Sequence, residues 1–346
     1  MQNATRLNRT IGPLVVVLIA VAGLYIVKWS PYYARALTAA ANHAIGKSIL
    51  VGADAHVPDP SWDAALGYAL AYGKAIWQAM VLGLLLGSAI QALLPPGLVA
   101  KALGRRGFAP VVTAGLLALP GMMCTCCAAP VVMGLRRQRA TSGSAIAFWL
   151  GNTLLNPATL VFIGFVLGWH WAAMRLALGV AMVFGLGLLV DRMTPEAAET
   201  VEVTAAEDQA AGNPFLRWLS ILARMTVRLI PEYIIIVLAL GAARAWLFPS
   251  VGPEVGDGLG WIVTFAVAGM LFVIPTAGEV PIIQAMLALG VGVGPAGALL
   301  MTLPPVSVPS LAMLARSFQP ATLMVVTGCV VLSGILCGLL AVALGF

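Results

Sequence analysis

Charge is what this chain has least of. Only 9% of its 346 residues are Asp, Glu, Lys or Arg, while 61% are hydrophobic and the mean hydropathy is +0.98. An ordinary soluble domain is about one-quarter charged, so a water-soluble fold is excluded and a polytopic membrane protein is expected. Cysteine is scarce too. Cys124, Cys126, Cys127, Cys329 and Cys337 all lie in apolar segments, which excludes a secreted disulfide framework. No Walker sequence and no cofactor motif is present, so neither ATP chemistry nor a cofactor is expected. The first apolar run, Ile11 to Lys28, lacks a small-residue cleavage site and reads as a retained helix. The net charge of +6 comes from basic loops, which orient a membrane protein and do not imply nucleic acid. The partner expected is the lipid bilayer, and a homo-oligomer is compatible with this composition.

Acids are rarer than bases, 13 against 19. Asp54, Asp59 and Asp63 fall in an early loop, six acids between Asp191 and Asp208 in one linker, and Glu254 and Asp257 in another loop. Only Glu232 and Glu279 stay within apolar stretches. Arg228, four residues before Glu232, offers it a helical ion pair. Glu279 has no such neighbour, and an acid inside the membrane is a functional candidate by default.

Full crossings are expected over roughly 11–29, 74–94, 142–168, 171–190, 222–247, 293–316 and 322–344, at about 20 residues each. Two Pro-interrupted stretches, 108–137 and 260–290, have legs too short to cross and suit re-entrant hairpins. The acidic segment before Pro214 divides the chain into halves that repeat weakly. At an offset of 151, Pro130 matches Pro281, Gly143 matches Gly294 and Asn156 falls opposite Ser307. Placing the Lys and Arg clusters around 101–106, 136–139 and 192–224 in the cytoplasm gives the halves opposite orientation.

The expected fold is therefore all-α, with two inverted repeats, each of three crossings and one re-entrant helical hairpin, plus an extra N-terminal transmembrane helix. Its divisions are the N-terminal helix 1–30, an extracytoplasmic loop 31–73, a first repeat 74–190 with a Cys hairpin, an acidic cytoplasmic linker 191–215, and a second repeat 216–346 with a Glu279 hairpin. The N-terminus is placed in the cytoplasm and the C-terminus outside. Broken segments at corresponding places in two inverted halves mark a binding site near the bilayer midplane.

The first hairpin tip reads Pro120-Gly-Met-Met-Cys124-Thr125-Cys126-Cys127-Ala-Ala-Pro130. Thiolates are soft ligands, and three thiols in four positions, fenced by proline, suit a soft metalloid. The Cys-x-Cys spacing of Cys124 and Cys126 on non-helical backbone can aim two sulfurs at one point. Cys127 then points elsewhere or closes a third position. Free cysteine is also often just a small buried residue, the simpler reading of Cys329 and Cys337. The second tip reads Pro275-Thr276-Ala-Gly-Glu279-Val-Pro281. Glu279 there suits proton coupling, or a carboxylate on the amides of a half-helix N-terminus. Two further breaks, Asn152-Thr-Leu-Leu-Asn156-Pro157 and Thr302-Leu-Pro304-Pro305-Val-Ser307, follow the hairpins. Residues before proline leave the helix, so Asn152, Asn156, Thr302 and Ser307 are candidates to line one cavity. Asp54, His56 and Asp59 read as a solvated loop rather than a metal site.

With these motifs in hand, residues 65–346 resemble the ArsP-type bacterial permeases, through the Pro-x-x-x-Cys-x-Cys-x-x-x-Pro core and its broken second-half counterpart. The resemblance implies a non-enzymatic inner-membrane permease that exports a trivalent organoarsenical such as methylarsenite, with Cys124 and Cys126 as the thiol pair. Cys127 departs from the family pattern. An alternative with the same fold is a permease for a sulfur-containing or anionic solute. A further alternative, a membrane thiol redox enzyme, is disfavoured by reading the thiols as Cys-x-Cys, where such enzymes use Cys-x-x-Cys.

Overall fold

A computed structural model of the chain describes residues 2–50, 57–95, 97–194, 213–249 and 251–346, with side chains from residue 11 onward. Every regular element among the described residues is helical. Six helical segments are long and apolar enough to cross a membrane: Ile11–Asn42, Trp62–Leu93, Ser142–Val166, Trp169–Met193, Pro214–Leu247 and Pro320–Leu344. The chain is thus a multi-pass membrane protein. The loop residues Asp54 and His56, and all of the acidic linker from 195 to 212, lie outside the described residues.

The first helix is longer than its sequence promises. Helix α1 (Gln2–Leu24) runs through a five-residue π turn, Tyr25–Trp29, into α2 (Ser30–Asn42). Residues 31–42, expected as part of the extracytoplasmic loop 31–73, therefore continue the helix. Pro31 is the second residue of α2, directly after the π turn, and the backbone on both sides of it stays right-handed helical. Helix α3 (Trp62–Leu93) starts twelve residues before the expected crossing, capped by the Ser61 hydroxyl on the Ala64 amide.

The rest of the first half is α4 (Leu98–Leu103), the short pair α5 (Phe108–Ala118) and α6 (Thr125–Arg137), the broken pair α7 (Ser142–Leu154) and α8 (Pro157–Val166), and α9 (Trp169–Met193). The second half repeats this order in α10 (Pro214–Leu247), α11 (Leu259–Leu271), α12 (Glu279–Ala288), α13 (Val293–Thr302), α14 (Val308–Leu314) and α15 (Pro320–Leu344). Helices α5, α7, α8 and α9 each begin 151 residues before α11, α13, α14 and α15. The expected crossing 293–316 is two helices, because Pro304 and Pro305 leave no amides to continue α13.

The two ends of each short pair are tied to each other. The Thr141 amide after α6 donates to the Leu103 carbonyl before α5, and the buried Asp191 carboxylate accepts from the Gly107 and Gly143 amides. Asp191 is thus part of the last turns of α9 rather than of the linker. In the second half the Gly292 amide donates to Val255 and the Gly294 amide to Asp257.

Helix α3 packs against both α6 and α10. The close approach needs Gly83 and Gly87. A Cβ at Gly83 would strike the Cys127 carbonyl, and one at Gly87 the Pro130 carbonyl. Pro130 is therefore inside α6, braced on α3, and Pro281 is the third residue of α12. The breaks themselves fall at Pro120, in the 3-10 turn closing α5, and at Pro275, in the loop between α11 and α12.

Candidate functional site

Both tips turn through a residue that is left-handed without being glycine, Met122 at φ 47° and Ala277 at φ 63°. Such backbone is costly and persists where surrounding packing fixes it. Two residues later the next helix opens, with Cys124 as N-cap of α6 and Glu279 as first residue of α12. The breaks after α7 and α13 end in the N-caps Asn156 and Ser307.

These four interruptions meet. A cavity of about 10 Å³, close to the room one water needs, is lined by Cys124, Thr153, Asn156, Thr276, Glu279 and Pro304 among others. Polar atoms without partners mark its surroundings. The Asn156 side chain caps the Ala158 and Thr159 amides through Oδ1 and leaves Nδ2 unpaired. Glu279 Oε2 and Asn152 Oδ1 are likewise buried and unpaired.

The thiols do not arrange as expected. Cys124, Cys126 and Cys127 are all buried and free. From Thr125 the backbone is helical, so positions three apart share a face. The Cys124 and Cys127 sulfurs lie 2.7 Å apart, while Cys126 turns away to the Ser307 and Thr125 hydroxyls, each at 3.7 Å. The close pair is thus Cys124-x-x-Cys127, a spacing masked in the sequence by the overlapping Cys-x-Cys. A three-sulfur coordination site is not formed. Among the described residues no group of three or more His, Cys, Asp or Glu is arranged to hold a metal ion. Of the other candidates, Thr125 anchors the tip to both halves: its carbonyl accepts from Trp149 Nε1 and its hydroxyl lies 3.3 Å from Ser307. Asn152 donates back to Phe148, and its oxygen is directed at Gly121 of the tip. Thr302 back-bonds to Ala298 and faces away from the cavity.

Glu279 has a partner far along the chain. Arg175, fully buried on α9, donates to Glu279 Oε1 at 3.2 Å, to the Leu154 and Thr153 carbonyls at the end of α7, and to the Leu300 carbonyl of α13. One guanidinium thus satisfies the freed carbonyls of the first broken helix while binding the second tip. Arg175 is absent from the sequence-based candidates, which are acids, thiols and residues near proline; its signal is a lone Arg within the apolar crossing 171–190. Glu232 pairs with Arg316 at 3.3 Å, in place of Arg228.

Around Cys126, the Tyr233 hydroxyl of α10 donates to Tyr72 of α3 at 2.7 Å. The Tyr68 hydroxyl donates to the Val273 carbonyl just before the second tip. These tyrosines join the paired long helices to both tips, and nothing in their spacing announced it.

An all-helical membrane protein with two corresponding sets of interrupted helices around a polar cavity has the form of a permease. The chain belongs to the ArsP_1 family, described as "Predicted permease", which it matches over residues 63–343. It is 51% identical over 332 residues to UPF0718 protein YraQ of Escherichia coli K12, covering 95% of this chain and 94% of that protein. A shorter match, 36% identical over 115 residues, links it to UPF0718 protein MJ0584 of Methanocaldococcus jannaschii, covering 32% of this chain and 31% of that protein. No solved structure matches the chain.

Proposed function

We propose that the chain is a secondary transporter of the bacterial inner membrane that exports a soft, thiol-binding solute, a trivalent arsenical such as methylarsenite or a similar thiophile. One observation supports this reading above the rest. The ends of four interrupted helices, two from each half, close on one cavity that has a thiol and a buried carboxylate on its walls. Unwound chain at membrane depth is tolerated where it lines a cavity or is buried in protein, and corresponding breaks in two halves are a common way to build a transport site. In this reading each short pair is a re-entrant hairpin and the halves are inverted repeats. With the basic ends of α4, α6 and α10 in the cytoplasm, the Cys tip enters from inside and the Glu279 tip from outside. The N-terminus is then cytoplasmic and the C-terminus external.

With methylarsenite, two As–S bonds to Cys124 and Cys127 form as two As–O bonds break, and each thiol proton leaves with a hydroxide as water. Glu279, held through one oxygen by Arg175, offers its other oxygen beside the cavity for the proton that helps release. Rocking of the two halves exposes the site to each side in turn. Cells lacking their own arsenical export, made resistant by this chain, should lose resistance with Cys124→Ser combined with Cys127→Ser at unchanged membrane abundance. Full resistance in that double variant removes the reading. Labelling of a cysteine placed at Arg137, in a background without native thiols, should occur from the cytoplasm; labelling only from outside removes the hairpin and the inversion.

The 2.7 Å approach of Cys124 and Cys127 favours a second reading, a membrane thiol oxidoreductase. There the two thiols form a disulfide, passing two electrons and two protons to a partner disulfide, which is reduced to two thiols. Peptide mass spectrometry that finds both thiols free throughout solute turnover excludes it.

A further inference from the structure

The π turn at Tyr25–Trp29 aims two neighbouring side chains at the two tips. Trp29 Nε1 donates to the Pro120 carbonyl of the first tip at 2.8 Å. Lys28 Nζ donates to the Thr276 hydroxyl of the second tip at 3.0 Å and to the Tyr32 hydroxyl at 3.3 Å. A regular α-helix separates successive side chains by about 100°, and a π turn inserts a residue and resets that angle; such turns recur at functional sites. Lys28 is 3% exposed on a helix that is otherwise mostly open, so its inward placement is specific. It lies before the family match begins at residue 63.

No described carboxylate meets this ammonium. Glu279, the acid on the tip it touches, is bound to Arg175. Its hydrogen-bond partners are the neutral hydroxyls of Tyr32 and Thr276. A buried charge without an opposite partner is expensive, and an intramembrane Lys marks a solute path by default. Beside Lys28 lies a cavity of about 150 Å³ lined by Arg35, Lys47 and Tyr32 among others, with no acid in its described lining. Pro275, Thr276 and Ala277 form a wall of both this basic cavity and the small cavity at Cys124. Thr276 itself connects the two, hydrogen-bonded to Lys28 Nζ and lining the small cavity beside Cys124. Further in, the unpaired Asn156 Nδ2 is one more donor awaiting an acceptor.

We infer that Lys28 is a binding residue of the site and that the solute it selects is a small anion carrying a soft, sulfur-like atom, the soft atom meeting Cys124 and the negative charge meeting Lys28. This rests on the thiol site proposed above and narrows its substrate class. Thiosulfate and sulfate are a matched pair of probes, equal in charge and shape and differing by one soft sulfur. Methylarsenite is a neutral thiophile that needs the thiols alone. The readout is protection of Cys124 from alkylation in the purified full chain, followed by peptide mass spectrometry.

In the native protein thiosulfate should protect Cys124 and sulfate should not. Lys28→Gln should raise the protecting thiosulfate concentration about tenfold or more, the worth of one charge-assisted hydrogen bond, while leaving methylarsenite protection unchanged. Lys28→Arg should retain thiosulfate protection, which separates lost charge from lost folding. Equal thiosulfate protection in Lys28→Gln, equal protection by sulfate, or no protection by thiosulfate in the native chain overturns the inference. Failure of methylarsenite to protect the native chain instead strikes the thiol site itself.

Discussion

The two tips are built alike and equipped differently. Each follows an apolar helix of 11 or 13 residues, turns through a left-handed non-glycine residue and opens a new helix two positions on. The first carries thiols and no charge of its own. The second carries a carboxylate already engaged by an arginine from α9. What each tip lacks comes from elsewhere: positive charge reaches the second tip from Lys28 and Arg175, and a hydrogen-bond donor reaches the first from Trp29. The backbone plan is thus duplicated while the chemistry is not. The same helix order carries thiols at one tip and a carboxylate at the other.

Substitutions at the two tips should break this comparison unequally. The largest effect is expected at the second. Arg175→Met strands Glu279 as a buried charge and leaves the Thr153 and Leu154 carbonyls without their donor, a loss of about 3–5 kcal/mol. Thermal unfolding in detergent should show it, and Arg175→Met with Glu279→Gln should recover part of the loss. Next comes the brace behind the first tip. Gly83→Val forces α3 off the Cys127 carbonyl, for about 1–3 kcal/mol of overpacking, read as a lower melting temperature and altered alkylation of Cys127. Within the tip, Cys124→Ser should impair solute binding more than Cys126→Ser, because only Cys124 lines the cavity; the reverse order would restore Cys-x-Cys as the working pair. Smallest is Trp29→Phe, which removes one hydrogen bond to Pro120 worth about 1 kcal/mol and should leave the second tip unchanged.

Residues that break helices were the legible part. Pro120, Pro157, Pro275 and the Pro304-Pro305 pair set their interruptions through missing amides, a local effect that sequence shows directly. Pro130 and Pro281 misled because a proline early in a helix, or one braced by a neighbouring glycine, interrupts nothing. The Cys cluster lies at the interruption that Pro120 announces, but which sulfurs approach each other depends on whether residue 125 is helical. Lys28 and Arg175 stayed hidden for a different reason. Their partners lie 248 and 104 residues away, at Thr276 and Glu279, and no spacing rule spans such distances. Lys28 also stood beside Pro31, which resembles the end of a span when the helix in fact continues to Asn42.

The extra turn in the first helix has a mechanical consequence. Adjacent side chains on one rigid rod grip both opposed loops, so the loops cannot separate without releasing Trp29 or Lys28. The leading helix is thus a strut between the two loops, tying the Pro120 carbonyl to the Thr276 hydroxyl through consecutive residues.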